Sequence, residues 1–224
     1  DGLVIRWGAW ADTGMAARAW GQARDGIDTG HPLLGVEVPA AAGVLFEATY
    51  VPDSMWVLAE HRVAGRPVLP GTAYIEIARA AMHRLHPGAA LELRGLAFEQ
   101  AMVFEAAPRR VQVSLQPVEG GHAVLVRSRG PGESDWCVHA RATAHVFDGV
   151  LPAAHGCDGP WEPGQAPQGR HAALAFGPRW DNLARMCLSS RPAVAQLSLP
   201  SAFEADLKQQ WAHPALLDMA ATFG

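Results

Sequence analysis

Two side chains stand out as candidates for proton transfer. His61 opens the run His61-Arg62-Val63-Ala64-Gly65-Arg66-Pro67-Val68-Leu69-Pro70, directly before an apolar stretch with helical spacing. A histidine entering a helix N-terminus, beside glycines that let a ligand approach the backbone, suits a general base next to an oxyanion site. A structural histidine fits the same spacing. Asp218 stands in His213-Pro214-Ala215-Leu216-Leu217-Asp218-Met219-Ala220. A carboxylate among apolar residues on a buried helix is costly unless it has a task or a partner. A helix cap or a solvent-facing aspartate fits that pattern equally well.

The other titratable groups carry less. There are ten histidines, too many to be all functional. His83 and His86 lie at a helix end, an ordinary place for a solvated cation. His139 and His145 share the strand face opposite Trp136, where a surface or hydrogen-bonded position is expected. His122, His155 and His171 fall in or near loops. No histidine pair has zinc-like spacing with a third ligand, so no metal site is expected. Cys137, Cys157 and Cys187 are scattered and odd in number, which reads as reduced thiols in a cytoplasmic setting.

Composition bounds the function classes. Hydrophobic residues make up 49% of 224, ample for a core in one sizeable domain or two small ones. The formal net charge of −4, with no basic stripe, argues against a nucleic-acid partner. The apolar runs are shorter than a membrane span, and no secretory signal opens the chain.

The elements that must position His61 and Asp218 follow from periodicity. Pro70-Gly71-Thr72 signals a helix start with Thr72 as cap, and Ile75, Ala78, Met82 and Leu85 recur at helical spacing until Pro87-Gly88. Val44 to Tyr50 reads as a strand. Four alternating segments follow the helix: Leu91 to Glu99, Arg110 to Pro117, His122 to Arg127, and Trp136 to Phe147. Together they describe an antiparallel sheet around one helix. The Pro- and Gly-rich stretch 148–170 reads as a linker. Beyond it the pattern predicts a helix from Gly177 to Met186, a strand from Ala193 to Leu199, a short helix near Ala202 to Gln210, and a last helix from His213-Pro214. The order of strand, helix and strands thus starts again.

The run His61 to Pro70 resembles the His-x-x-x-Gly-x-x-x-x-Pro motif of polyketide synthase dehydratases, and Leu69-Pro70-Gly71-Thr72-Ala73-Tyr74 continues the likeness. Phe176-Gly177-Pro178-Arg179-Trp180 is similar to the family's Tyr-Gly-Pro-x-Phe stretch. His213-Pro214-Ala215-Leu216-Leu217-Asp218 is similar to the stretch that delivers its catalytic Asp, and His31-Pro32-Leu33-Leu34-Gly35 to the domain start. Residues 1–17 resemble instead the closing segment of a polyketide ketoreductase. The chain departs from the pattern at Thr222, where the family usually carries Gln or His four residues after the Asp, and at Phe176, which lacks the hydroxyl of the common Tyr.

The resemblance implies an α+β double hot-dog fold, two antiparallel sheets each wrapped around a central helix. It implies a ketoreductase remnant at 1–17, a linker at 18–30, a first hot-dog at 31–147, the linker 148–170, and a second hot-dog from 171. That second hot-dog is expected to be incomplete, because the chain ends at Gly224 as its helix begins. It further implies a dehydratase acting on a β-hydroxyacyl thioester, with His61 as base and Asp218 as acid. Gly65 and Pro70 would shape the turn that aims His61, and the Gly71 N–H would stabilise the enolate. Gly177, Pro178 and Thr222 would line the substrate path. No cofactor is implied; the substrate would ride on the phosphopantetheine of an acyl carrier protein. Ketoreductase and ketosynthase domains would be neighbours, and the intact synthase a homodimer. Oxygen-heterocycle closure, double-bond migration, or a non-catalytic structural role are the alternatives within such a fold.

Overall fold

The computed structural model describes residues 26–150, 156–164, 173–189 and 193–222. The ketoreductase-like segment 1–17 lies outside them. The first half is one seven-stranded antiparallel sheet, built from β1 (Ile27–Asp28), β2 (Val36–Val38), β3 (Val44–Tyr50), β6 (Leu91–Phe98), β7 (Arg109–Val118), β8 (Gly121–Arg129) and β9 (Cys137–Val146). Its strand order is β1-β2-β3-β7-β8-β9-β6. The period-2 pattern places Val111, Val113 and Leu115 of β7, and Val124 and Val126 of β8, on the inner face. Against that face lies α2 (Gly71–Leu85), preceded by the short helix α1 (Trp56–Ala59). The small residues Ala73, Ala78 and Ala81 of α2 and Ala140, Ala142 and Ala144 of β9 belong to the same buried cluster, which lets helix and sheet approach closely. The helix stops where expected, with Gly88 at φ 77° just past its end.

Its start differs from expectation. Pro70 is the N-cap and no side chain caps the helix. The Thr72 hydroxyl donates instead to Pro214 O, 2.9 Å away across the seam between the halves. Thr72 is the second residue of the helix rather than its cap, and its hydroxyl proton is free to bridge the seam.

The second half comprises β10 (Glu162–Pro163), β11 (Leu174–Phe176), a 3₁₀ turn (Pro178–Trp180), β12 (Leu183–Cys187), β13 (Val194–Leu197), a 3₁₀ segment (Ser201–Lys208) and α3 (Pro214–Thr222). The helix expected over 177–186 is therefore a tight turn followed by a strand. β12 gains its hydrogen bonds from β10 and β13, partners distant in sequence that override the local spacing. The structure also joins Cys157 to Cys187 in a disulfide, leaving Cys137 as the free thiol among the described residues. Three reduced thiols were expected. The bond fastens the linker region to β12.

The halves meet at Glu76, fully buried on α2. Its carboxylate accepts two bonds from Arg79, one from His31 Nε2 at 2.9 Å, and one from the backbone N–H of Ala212 at 2.8 Å, just before α3. Among the described residues, no helix is long and apolar enough to cross a membrane.

Candidate active site

His61 begins β4 (His61–Val63), which turns through Ala64 and Gly65 into β5 (Arg66–Pro67). Both turn residues have positive φ, 49° and 76°, the conformation a two-residue hairpin demands and Gly65 adopts freely. The turn brings Val68 back to His61, and Val68 N donates to His61 O at 3.1 Å. The Val68 carbonyl in turn lies 2.7 Å from His61 Nδ1. A carbonyl only accepts, so Nδ1 carries a proton, and in the neutral ring it is Nε2 that holds the lone pair. That is the tautomer a base acting through Nε2 needs. Pro70 is buried and leads into α2 at Gly71, where an added Cβ would lie 3.2 Å from the Phe98 ring.

The second half delivers Asp218 to the same place. β11 pairs antiparallel with β4, setting Phe176 directly opposite His61. Gly177 N then donates to Glu60 O at 2.8 Å, and the 3₁₀ turn carries Trp180 inward. The Trp180 ring lies 5.7 Å from the His61 ring and stacks on Phe176 at 5.6 Å. Its indole Nε1–H donates to Asp218 Oδ2 at 2.9 Å. One indole thus touches both candidate residues. Thr222 does not reach the carboxylate: its hydroxyl donates to Asp218 O at 2.9 Å, back along α3. Pro178 is exposed at the turn.

Arg179 fastens this arrangement. Its backbone N–H donates to Glu60 Oε2 at 2.9 Å, its Nη1 pairs with Glu60 Oε1, and its Nε donates to Asp206 Oδ2 at 2.7 Å. The guanidinium lies between the rings of Trp56 and Phe203. Asn182 Nδ2 bridges Arg179 O and Ala215 O, tying the turn to the start of α3. Sequence reasoning missed Arg179, Glu60 and Asn182. A charged residue inside the apolar Phe176–Trp180 run was the available signal. A Cβ on Gly177 would collide with the Glu60 side chain. Gly177→Ala therefore has to displace Glu60 from Arg179, and a loss of about 1–3 kcal/mol is expected in urea denaturation.

Two buried histidines predict a stability that falls in acid. His213 stacks on Trp56 at 4.8 Å, and Asp206 at 3.6 Å is too far for a hydrogen bond. Burial pushes its pKa down, and Asp206 offsets this only in part. His139 is also held down, chiefly by burial; it bonds to Ser128 Oγ and Gln100 O, each at 2.8 Å. Below the ordinary histidine value of about 6.5, the unfolded chain takes up protons that the folded one refuses. Stability is expected to fall as pH drops through that value, seen as a declining urea midpoint between about pH 8 and pH 5. A cleft of about 610 Å³ lined by Gln100, Arg109, Glu133 and His139 includes neither His61 nor Asp218. Hydrogen bonds and ring contacts, not cavity size, mark the site.

Comparison with known proteins fits this geometry. A family model described as "Polyketide synthase dehydratase domain" matches residues 31–129, which include His61. One described as "Polyketide synthase dehydratase N-terminal domain" matches residues 167–222, which include Asp218. The spectinabilin polyketide synthase system protein NorB of Streptomyces orinoci is 33% identical over 201 residues, covering 85% of this chain and 9% of that protein. Polyketide synthase GfsE of Streptomyces halstedii is 31% identical over 230 residues, 94% of this chain and 6% of that one. The chain thus spans less than a tenth of these two relatives. Among solved structures, the dehydratase domain from the terminal module of the rifamycin polyketide synthase matches with a TM-score of 0.73 at 25% identity, over 88% of this chain and 75% of that one. A trans-AT dehydratase domain from Brevibacillus brevis matches with 0.72 at 24%, over 85% and 72%. The fold is the α+β double hot-dog expected from the sequence.

Proposed function

The chain belongs to the polyketide synthase dehydratase family, and from that membership we propose that it eliminates water from a β-hydroxyacyl thioester with His61 as base and Asp218 as acid. His61 Nε2 takes the α-proton, and the electron pair of that C–H bond forms the alkene. The β C–O bond breaks as Asp218 gives its proton to the departing oxygen, which leaves as water. Imidazolium and carboxylate then return to their starting protonation by exchange with solvent. The Gly71 N–H at the start of α2 meets the negative charge developing on the thioester oxygen. Gly65 and Pro70 hold the turn that aims His61, while Gly177 and Pro178 border the acyl path. The thioester arrives on the phosphopantetheine arm of an acyl carrier protein, and the chain supplies no cofactor of its own. Residues 1–17 resemble the close of a ketoreductase, an enzyme whose reaction would generate the β-hydroxyl.

The observation that carries this reading is the pairing across the seam. The Val68 carbonyl holds a proton on His61 Nδ1, which leaves Nε2 as the basic nitrogen of the neutral ring, and Trp180 lies against that ring and donates to the Asp218 carboxyl. Incubating the synthase module that contains this chain with a 3-hydroxyacyl carrier protein tests it. Loss of one water from the acyl group, read by intact-protein mass spectrometry, is the expected result. An unchanged hydroxyacyl group with folded protein would overturn the reading.

A further inference from the structure

We propose that Trp180 is a positioning residue for Asp218, the hydrogen-bond donor that orients its carboxyl group for proton donation. The inference rests on the dehydratase reading and extends it to a residue that stands where the resembled family has Phe, which has no donor.

The hydrogen bond is well formed, with Nε1 2.9 Å from Oδ2. The donor is also held still. Trp180 is 1% exposed, and its ring is packed against Phe176 at 5.6 Å, His61 at 5.7 Å and Trp56 at 6.0 Å. Its backbone is pinned by Trp180 N donating to Gly177 O at 3.1 Å and by Asn182 gripping the preceding carbonyl. An indole confined on these sides cannot swing away from the carboxyl group. The helix offers no substitute, since the Thr222 hydroxyl is spent on the backbone oxygens of Asp218 and Met219.

The chemical consequence concerns which oxygen carries the proton. Indole N–H only donates, so Oδ2 accepts it; the carbonyl oxygen of a carboxyl group is the better acceptor, which favours the transferable proton on Oδ1. As Asp218 gives up that proton, Oδ2 gains charge and the indole bond strengthens. A bond that is stronger in the transition state than in the ground state accelerates the reaction. The same ring abuts His61, so a single rigid side chain sets the spacing between acid and base.

Trp180→Phe keeps most of the ring and deletes the donor. Its kcat for 3-hydroxyacyl carrier protein is expected to fall about 10–100-fold, with KM changed less than about twofold. The limb of the pH–rate profile that reports Asp218 should move toward alkaline pH, because the carboxylate form loses a partner. Adding Thr222→Gln, which places an amide donor one turn along α3, should recover part of the loss. A Trp180→Phe enzyme with wild-type kcat and an unshifted profile overturns the proposal and leaves the dehydratase reading intact. A fall in kcat with lowered Tm, an unshifted profile and no rescue makes the residue merely structural and also overturns it. Wild-type protein that folds but dehydrates nothing overturns the reading beneath. Should Trp180→Phe fail to fold, the indole N–H resonance of the ¹⁵N-labelled native protein decides. It should shift in Asp218→Asn, and an unmoved resonance sinks the proposal.

Discussion

His61→Ala and Asp218→Asn are each expected to lower the dehydration rate by about 10²–10⁴-fold, the usual contribution of a positioned acid or base. In the proposed elimination the two substitutions act on the two bonds that break, the α C–H and the β C–O. Without His61 no group of the site takes the α-proton, and water is a far weaker base. Without the Asp218 proton, hydroxide has to leave unassisted. Neither change should unfold the protein. His61 contributes one ring bond to Val68 O, and its backbone pairing with Phe176 is independent of the side chain. Asn at 218 keeps an oxygen that can still accept the Trp180 N–H. In the proposed mechanism both residues serve one step, so the double variant should be little slower than the worse single one. Intact-mass assays of the acyl carrier protein measure all three, and a single variant within tenfold of wild type, on the order of 1.4 kcal/mol, removes that residue from the chemistry.

The sequence made the local parts of this site legible and left its long-range parts hidden. α2 was readable because apolar residues recur at helical spacing over a broad arc and both ends carry Pro-Gly signals. β7, β8 and β9 were readable because alternate apolar residues of each, such as Val111, Val113 and Leu115, enter the core. The stretch after Gly177 misled because its apolar residues also fit a helix, while the bonds that make it a strand come from β10 and β13. Thr72 was expected to cap its own helix, yet its partner stands 142 positions away. The Trp180–Asp218 bond spans 38 positions and the Arg179–Glu60 bond 119, and no periodicity encodes such pairs. Family motifs named His61 and Asp218; only the fold identified what holds them.

Glu76→Ala is expected to cost about 3–5 kcal/mol of stability, the range for stripping one partner from a buried ion pair. Burial alone would push the Glu76 pKa up, but bonds from Arg79 and His31 outweigh it, so the group is held below the ordinary carboxylate value and stays ionised. Removing it leaves the Arg79 guanidinium, 17% exposed as a side chain, without its counter-ion, and leaves the Ala212 N–H without an acceptor. The damage therefore falls on the seam, next to the segment that leads into α3 and Asp218. A carboxylate with a depressed folded pKa contributes stability above its unfolded value and loses it as pH falls through the folded one. The gap between wild type and variant should accordingly be full near neutral pH and close under acid. Urea melts at pH 7 and again below about pH 4 check this, and a gap that persists unchanged would mean Glu76 contributes through packing rather than charge.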